Sequence, residues 1–347
     1  MRTIITHKAG ATEVLQLENL DKPNISEPNQ VLVQVFAAGV NPIDTKLRAN
    51  GVFFPHAYPA ILGCDGAGVV EAVGADVTEF SAGDPVYYCY GGLGQQHASQ
   101  SQGNYAEYIV VPVEFLAAKP ESLGYLQAAA APLVLITAWE ALFDRAGLQS
   151  GQKVFVHAGA GGVGHVAIQL AKVAGCDVAT TVSSEEKAAF VRGLGADKVI
   201  DYKKEDVSEA LLAWTDGKGV DIAFDTVGGD AFKELIPAMA HYSDLVSILQ
   251  VSDDVDWEAL RLKNVRVSQE LMLTPMLSNL KEGAEHHAAI LEQCAQLIDA
   301  EKLKVHVGKI LPLEDAAQAH ELIEQGHMQG KVVLAIAGEI ADEEEVS

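Results

Sequence analysis

The sequence predicts an α/β protein made of a strand-rich domain of barrel type and a doubly wound, parallel sheet of six strands. Up to about residue 125, the chain reads as short strands separated by glycine and proline turns. From about residue 128, strand patterns alternate with helix patterns, and a glycine-rich turn follows the first of these strands. Because strands separated by helices need crossover connections, their sheet is expected to be parallel.

In the first part, apolar and β-branched runs at 31–35 and 68–73 predict two of the strands. They are bounded by turn-forming residues, which include Pro28-Asn29, Asn41-Pro42 and Gly83-Asp84-Pro85. Short strands that are interrupted so often by turns indicate a compact β domain.

In the second part, the pattern predicts strands at 154–157, 178–182, 198–201, 221–226, 245–249 and 265–271. Helices are predicted after the glycine turn and at 185–194, 205–214 and 231–240. The chain then continues with a helix at 284–300, a strand at 305–310, a helix at 313–325 and a strand at 331–336. We expect this tail to return to the first domain, which gives domains of 1–132 with 276–347, and of 133–275.

The turn after the strand at 154–157 has the spacing G-x-G-x-x-G, which is carried by Gly159, Gly161 and Gly164. The first glycine permits a tight turn, the second lets the backbone approach a pyrophosphate, and the third lets the helix pack closely on the strand. Gly162 and Val163 open the helix, whose unpaired N–H groups and positive dipole end would face the phosphates. Together with six strands, this turn predicts a complete dinucleotide-binding fold.

The charge balance argues against a nucleic-acid or membrane partner. The net charge is −24, from 48 acidic and 24 basic side chains, and such a field repels phosphate backbones and anionic membranes. The N-terminal residues lack the apolar core of a signal peptide, and the four cysteines show no paired spacing. A cytoplasmic protein with reduced thiols is therefore predicted.

Short motifs recur along nearly the whole chain: 39–44 (GVNPID), 66–70 (GAGVV), 83–86 (GDPV), 104–108 (NYAEY), 137–139 (TAW), 225–228 (DTVG) and 330–334 (GKVVL). With these motifs and the glycine turn, the chain resembles the medium-chain dehydrogenase/reductase superfamily, and within it the zinc-free quinone oxidoreductase-like branch. The resemblance implies a GroES-like catalytic domain over 1–132 and 276–347 and a Rossmann domain over 133–275. It also implies a homodimer, formed through the sheet edge near 265–273.

The residues at the zinc positions of the related alcohol dehydrogenases predict a site without metal. Those enzymes need a cysteine where Asn41 stands, and a histidine in a Gly-His-Glu motif that here reads Gly63-Cys64-Asp65. A lone Cys–Asp pair is a poor tetrahedral set for zinc. Without a Lewis acid to activate a simple alcohol, reduction of an already polarised acceptor is the favoured reaction.

The end of the second Rossmann strand predicts NADPH as the cofactor. NAD-binding folds place an acid there for the adenosine ribose, whereas this chain has Ser183. The resemblance implies that Ser183, Lys187 and Tyr202 bind the 2′-phosphate. The alternative is that Lys187 is an ordinary helix lysine and Tyr202 a strand-end aromatic, and Glu185 and Glu186 place negative charge nearby.

Other cofactor contacts follow from the resemblance alone. It implies that Lys331 touches the pyrophosphate and that Thr137, Val227 and Leu249 flank the nicotinamide. A surface lysine on a strand is the alternative for Lys331. Some relatives carry an arginine for the 2′-phosphate where this chain has Gly326-His327, so the selectivity for NADPH is expected to be modest.

Three residues on one loop are the predicted catalytic residues: Asn41, Asp44 and Lys46. An amide or ammonium group placed at the developing enolate oxygen would lower the barrier electrostatically, and Lys46 could act as the general acid. The alternative is structural, because Asn41-Pro42 forms turns and Asp44 could cap the short helix that begins there.

These observations predict an NADPH-dependent, zinc-independent oxidoreductase that reduces a small electrophilic acceptor, either a quinone or an α,β-unsaturated carbonyl. Two alternatives remain open. One is a zinc-type alcohol dehydrogenase, and the other is a nucleotide-binding redox sensor or structural protein with little turnover.

Overall fold

The computed structural model describes residues 1–54, 58–97, 100–326 and 328–337. Contacts between residues divide the chain into two units. The first unit contains Met1–Leu133, Thr274–Asp299 and the chain from His306 onward, and the second contains Val134–Leu273 and Ala300–Val305. Within the described ranges, no helix combines the length and the apolar composition that a membrane span requires.

The strands, in chain order, are β1 (Arg2–Thr6), β2 (Gln16–Asn19), β3 (Gln30–Val40), β4 (Ala60–Ile61), β5 (Asp65–Val73), β6 (Pro85–Cys89), β7 (Gln96–His97), β8 (Gln100–Ser101), β9 (Tyr108–Pro112), β10 (Leu116–Ala118), β11 (Lys153–Val156), β12 (Asp177–Val182), β13 (Lys198–Asp201), β14 (Val220–Asp225), β15 (Met239–Ser247), β16 (Arg266–Gln269), β17 (Val307–Pro312) and β18 (Lys331–Ala335).

The α-helices are α1 (Pro42–Asn50), α2 (Tyr125–Ala129), α3 (Pro132–Trp139), α4 (Gly162–Val173), α5 (Glu185–Gly193), α6 (Val207–Trp214), α7 (Gly229–Leu235), α8 (Trp257–Leu262), α9 (Thr274–Ser278), α10 (Lys281–Asp299) and α11 (Ala316–Gln325).

The second unit is built on a parallel sheet with the strand order β13-β12-β11-β14-β15-β16, which confirms the predicted six-stranded sheet. From β11 the chain first adds strands on one side, through β12 and β13, and later on the other side, through β14. The order therefore reverses between β11 and β14. In open α/β sheets, ligands bind outside the carboxyl ends of the strands at such a switch point.

Local chemistry sets several boundaries in this unit. Ser184 begins α5 by accepting a hydrogen bond from the backbone N–H of Lys187 at 3.3 Å, as a helix N-cap does. The helix predicted at 231–240 was too long, because α7 ends at Leu235 and β15 begins at Met239 rather than near residue 245. Pro237 lies between them and has no N–H for a helical hydrogen bond.

In the first unit, β3 is the central strand of a seven-stranded sheet and pairs with β5, β9 and β18. The pairing of the last residues of β3 with β5 and β18 determines which side chains lie close together at the end of β3. Gly39 lies opposite Asp65 of β5, and Val40 lies opposite Val332 of β18. A side chain at position 39 could not be accommodated, because its Cβ would lie 2.4 Å from the carbonyl oxygen of Ala129. Because of this pairing, the first residues of β5 and β18 lie next to the end of β3, where α1 begins.

Candidate active site

The glycine turn of the second unit places a residue without a side chain at the N-cap position of α4. Gly161 is the N-cap residue, in extended backbone, and it makes no side-chain cap hydrogen bond. The first turn of α4 also carries no acidic side chain. No side chain at the N-cap and no acidic side chain in the first turn competes with an anionic group for the first N–H groups of this helix, and the helix dipole favours such a group.

The three motif glycines differ in what a side chain would meet. A Cβ on Gly159 would lie 2.2 Å from Oγ1 of Thr180, and a Cβ on Gly164 would lie 2.4 Å from the carbonyl oxygen of Ala158. On Gly161 the nearest atom would be 3.2 Å away, again the Ala158 oxygen. The fold thus requires glycine at 159 and 164, whereas a Cβ on Gly161 would make a single tight contact, with the Ala158 oxygen. The space beyond that contact suits the approach of a phosphate group.

The predicted 2′-phosphate residues lie at the carboxyl ends of two adjacent strands. Ser183 directly follows β12 and Tyr202 directly follows β13, where the backbone N–H of Tyr202 bonds to the Val182 oxygen at 3.3 Å. Tyr202 is 54% exposed and Lys187 is half-buried in α5. Glu185, which the sequence analysis counted against phosphate binding, pairs with Arg192 at 2.8 Å. His327 lies outside the described residues.

The predicted nicotinamide residues belong to the same unit. Thr137 is buried in α3, whereas Val227 follows β14 and is exposed. Leu249 follows β15, and its Cδ1 would lie 2.9 Å from a Cβ on Gly228, which itself has a φ of 74°. The segments that follow β14 and β15 are therefore in close contact at the carboxyl edge of the sheet.

A buried polar cluster of the first unit joins Lys331, Asn41 and Asp65. Nδ2 of Asn41 donates to Oδ2 of Asp65 at 2.9 Å, and Nζ of Lys331 donates to Oδ1 of Asn41 and lies 3.4 Å from the same Asp65 oxygen. The other oxygen of Asp65 accepts the backbone N–H of Leu133 at 2.8 Å. Lys331 is only 3% exposed, so its ammonium group is engaged inside the unit. Its contact with a pyrophosphate stays a prediction.

Asp44 forms a capping box with Asn41 at the start of α1, as the structural alternative in the sequence analysis proposed. Its Oδ2 accepts the backbone N–H of Asn41 at 2.8 Å and the hydroxyl of Tyr105 at 3.2 Å. Its Oδ1 has no hydrogen-bond partner within the part of the chain that the structure describes. Burial raises the pKa of Asp44 from 3.8 to about 7. Lys46 lies on the exposed side of α1.

The network continues from Tyr105 to a residue that the sequence analysis missed. The Tyr105 hydroxyl lies 3.2 Å from Nε2 of His320 in α11, and both side chains are fully buried. Burial, with a smaller effect of the Arg48 charge, lowers the pKa of His320 to about 3, so this imidazole is neutral at pH 7. Nothing in the local sequence connects two residues that lie 215 positions apart.

The donor atoms at the zinc positions of the related alcohol dehydrogenases suit a metal poorly. Asn41 supplies an amide, and both carboxylate oxygens of Asp65 already accept hydrogen bonds. Cys64 is fully buried, and burial together with the negative charge of Asp44 raises the pKa of its thiol well above the usual range. Because zinc binds the thiolate, these three groups do not fit a catalytic zinc site.

Replacing Asp44 with asparagine is expected to change the pH dependence of stability. The folded state holds a proton on Asp44 up to about pH 7, whereas an unfolded aspartate loses it near pH 3.9. Wild-type stability therefore falls as the pH rises through this window. Between pH 5 and pH 8 the asparagine variant should gain about 2–3 kcal/mol relative to wild type, measured by urea unfolding.

Asp206→Asn is the matched control for this measurement, because Asp206 also caps a helix but is exposed. It should follow the wild-type profile over the same pH range. A constant difference between Asp44→Asn and wild type from pH 5 to pH 8 would contradict a protonated Asp44.

Comparison with known proteins begins with two family models that match the chain. The model of the alcohol dehydrogenase GroES-like domain matches residues 27–121, and a model described as zinc-binding dehydrogenase matches residues 194–334. A quinone oxidoreductase of Pseudomonas aeruginosa is 34% identical over 326 residues, which cover 94% of this chain and 96% of the relative.

Solved structures give the same result over nearly the full length. An alcohol dehydrogenase superfamily protein from Novosphingobium aromaticivorans has a TM-score of 0.87 and 34% identity, and the match covers 97% of this chain and 100% of that one. Escherichia coli quinone oxidoreductase, in a structure complexed with NADPH, has a TM-score of 0.82 and 30% identity, covering 96% of this chain and 100% of that one. The predicted combination of a GroES-like domain with a parallel six-stranded sheet is thereby confirmed.

Proposed function

The chain belongs to the medium-chain dehydrogenase/reductase superfamily, in its quinone oxidoreductase-like branch, and on that basis we propose that it is a zinc-independent, NADPH-dependent reductase. Its acceptors are quinones or α,β-unsaturated carbonyl compounds. The observation that carries this proposal is the buried cluster of Lys331, Asn41 and Asp65, in which Asn41 stands at the position of a cysteine ligand and Asp65 directly follows the position of a histidine ligand.

The second unit would hold the dinucleotide through the N-terminal end of α4, with Ser183, Lys187 and Tyr202 at the 2′-phosphate. When bound, the reduced nicotinamide supplies a hydride to the β-carbon of an enone or to a quinone. In the first unit, Lys331 and Asn41 bring an ammonium and an amide donor into a buried cluster.

NADPH is proposed over NADH because no carboxylate stands at the end of β12, where an NAD-binding fold places one. The pairing of Glu185 with Arg192 further offsets the nearest negative charge. A higher kcat/KM for NADPH than for NADH, with the ratio reduced in Lys187→Ala, is the expected result. A higher kcat/KM for NADH would contradict this assignment.

The proposal is tested by following NADPH oxidation against a panel of quinones, enals and enones, with the metal content measured on the same sample. Turnover with less than a tenth of an equivalent of zinc per chain, unchanged by a chelator, is the expected result. Stoichiometric zinc with oxidation of simple alcohols would indicate the alcohol dehydrogenase alternative. Tight NADPH binding without turnover of any acceptor would indicate the redox-sensing or structural alternative. The homodimer and the cytoplasmic location also stay predictions.

A further inference from the structure

Asp225, the last residue of β14, has a buried carboxylate that has hydrogen-bond partners on both of its oxygens. Its Oδ1 accepts the backbone N–H groups of Val227 at 3.0 Å and Gly228 at 2.9 Å, and it lies 3.0 Å from Nδ1 of His157. Its Oδ2 accepts the hydroxyl of Ser247 at 2.7 Å. The Asp225 side chain is 0% exposed, so these protein groups replace water around the carboxylate.

These partners come from the ends of three neighbouring strands. His157 directly follows β11 and precedes the glycine turn, whereas Val227 and Gly228 lie two and three residues beyond the end of β14. Ser247 is the last residue of β15, and its hydroxyl also accepts the backbone N–H of Leu249 at 3.2 Å. One carboxylate thus connects the three segments that leave β11, β14 and β15 at the carboxyl edge of the sheet, beside the switch point between β11 and β14.

The hydrogen bonds favour the ionised form of Asp225. Burial disfavours its charge, but hydrogen bonds from His157, Gly228 and Ser247 outweigh burial and lower the pKa of Asp225 below its ordinary value. A carboxylate is an acceptor on both oxygens, whereas asparagine of the same shape has one acceptor and one donor. With asparagine, the Ser247 hydroxyl would have to turn from position 225 to the Leu249 carbonyl, 3.2 Å away, and accept from the amide instead. The groups of Val227, Gly228 and His157 would then donate to a neutral oxygen, so the charge that strengthens these hydrogen bonds is lost.

We propose that Asp225 is a positioning residue for the nicotinamide half of the dinucleotide, because it fixes the Val227–Gly228 segment and the Leu249 segment against the strand that enters the glycine turn. This inference rests on the proposed function, since it concerns how the same cofactor is held. Asp225 acts through the backbone of its partners and His157 acts through Asp225, so neither is assigned a contact with the cofactor. The adenosine half depends on other residues, at the ends of β12 and β13.

The test compares two ligands in Asp225→Asn by isothermal titration: NADPH, and adenosine 2′,5′-bisphosphate, which lacks the nicotinamide half. NADPH should bind about tenfold more weakly or worse, as expected when hydrogen bonds to a buried charge are lost. Adenosine 2′,5′-bisphosphate should keep its Kd within about twofold. Asp221→Asn is the matched control, because Asp221 lies at the opposite end of β14 and accepts the backbone N–H of Lys153 at 2.8 Å. It should leave both Kd values unchanged.

His157 gives a second pair of variants should Asp225→Asn fail to fold. His157→Asn keeps a donor near the position of Nδ1 and should retain NADPH binding, whereas His157→Ala should weaken it by about threefold to tenfold. An unchanged NADPH Kd in Asp225→Asn and His157→Ala would overturn the inference, and so would equal weakening of both ligands. Failure of the wild-type protein to bind NADPH would instead contradict the proposed function.

Discussion

Gly161→Ala is expected to weaken NADPH binding by about 100-fold while leaving the folded protein nearly as stable as wild type. The φ of Gly161 is −78°, which alanine adopts without strain, and the nearest atom to an added Cβ is 3.2 Å away. The methyl group would therefore make one tight contact, with the Ala158 carbonyl, and it would occupy the space through which a phosphate would approach. Loss of two charge-assisted hydrogen bonds from the helix N-terminus corresponds to about this factor in Kd.

Gly164→Ala is the comparison variant, and its main expected effect is on stability. Its Cβ would lie 2.4 Å from the carbonyl oxygen of Ala158 and 2.8 Å from Cα of Gly159, so the turn itself must move. A loss of about 1–3 kcal/mol in the free energy of unfolding is expected from such crowding. Fluorescence titration with NADPH and thermal unfolding separate the two effects. An NADPH Kd that Gly161→Ala leaves unchanged would remove the pyrophosphate from this turn.

Features formed by residues that are close in sequence could be predicted, because the residue types and their spacing are enough to identify them. The glycine turn is one such feature. The capping box of Asn41 and Asp44 is another, because its two partners are three residues apart. The strand–helix alternation also predicted the parallel six-stranded sheet. The predicted start of β15 was wrong because alanine and methionine at 238–240 suit a helix as well as a strand, so that only the proline at 237 marks the end of the helix.

The polar cluster of the first unit could not be predicted, because it depends on the register between distant strands. Asp65 and Lys331 are 266 positions apart, and they meet only because β5 and β18 flank β3 at its last residues. From the sequence alone, Lys331 is therefore predicted to be a cofactor contact or a surface residue. A shift of one residue in the pairing of β18 would turn its side chain to the opposite face of the sheet. The burial of Lys331 is thus a property of the fold and has no local signal.

Lys331→Met is expected to lower the free energy of unfolding by about 3–5 kcal/mol at pH 8, since it leaves Asp65 as a buried charge without its cation. The side chains of Lys331 and Asp65 are 4% and 0% exposed, so solvent does not screen their interaction. Methionine has a similar length and keeps most of the packing. Lys309→Met on β17 is the matched control, because Lys309 is exposed, and it should change stability by less than about 0.5 kcal/mol.

The loss in Lys331→Met should also depend on pH, which distinguishes a lost charge partner from lost packing. Burial already raises the pKa of Asp65 against the opposing effect of the Lys331 charge, so removing that charge raises it further. A folded-state pKa above the unfolded value means that stability falls as the pH rises through that window, so the loss should be smaller at pH 5 than at pH 8. The double variant Asp65→Asn/Lys331→Met should recover most of it, because an amide needs no cation. Equal losses at both pH values, or a double variant no more stable than Lys331→Met, would show that the buried cluster does not depend on the charge of Asp65.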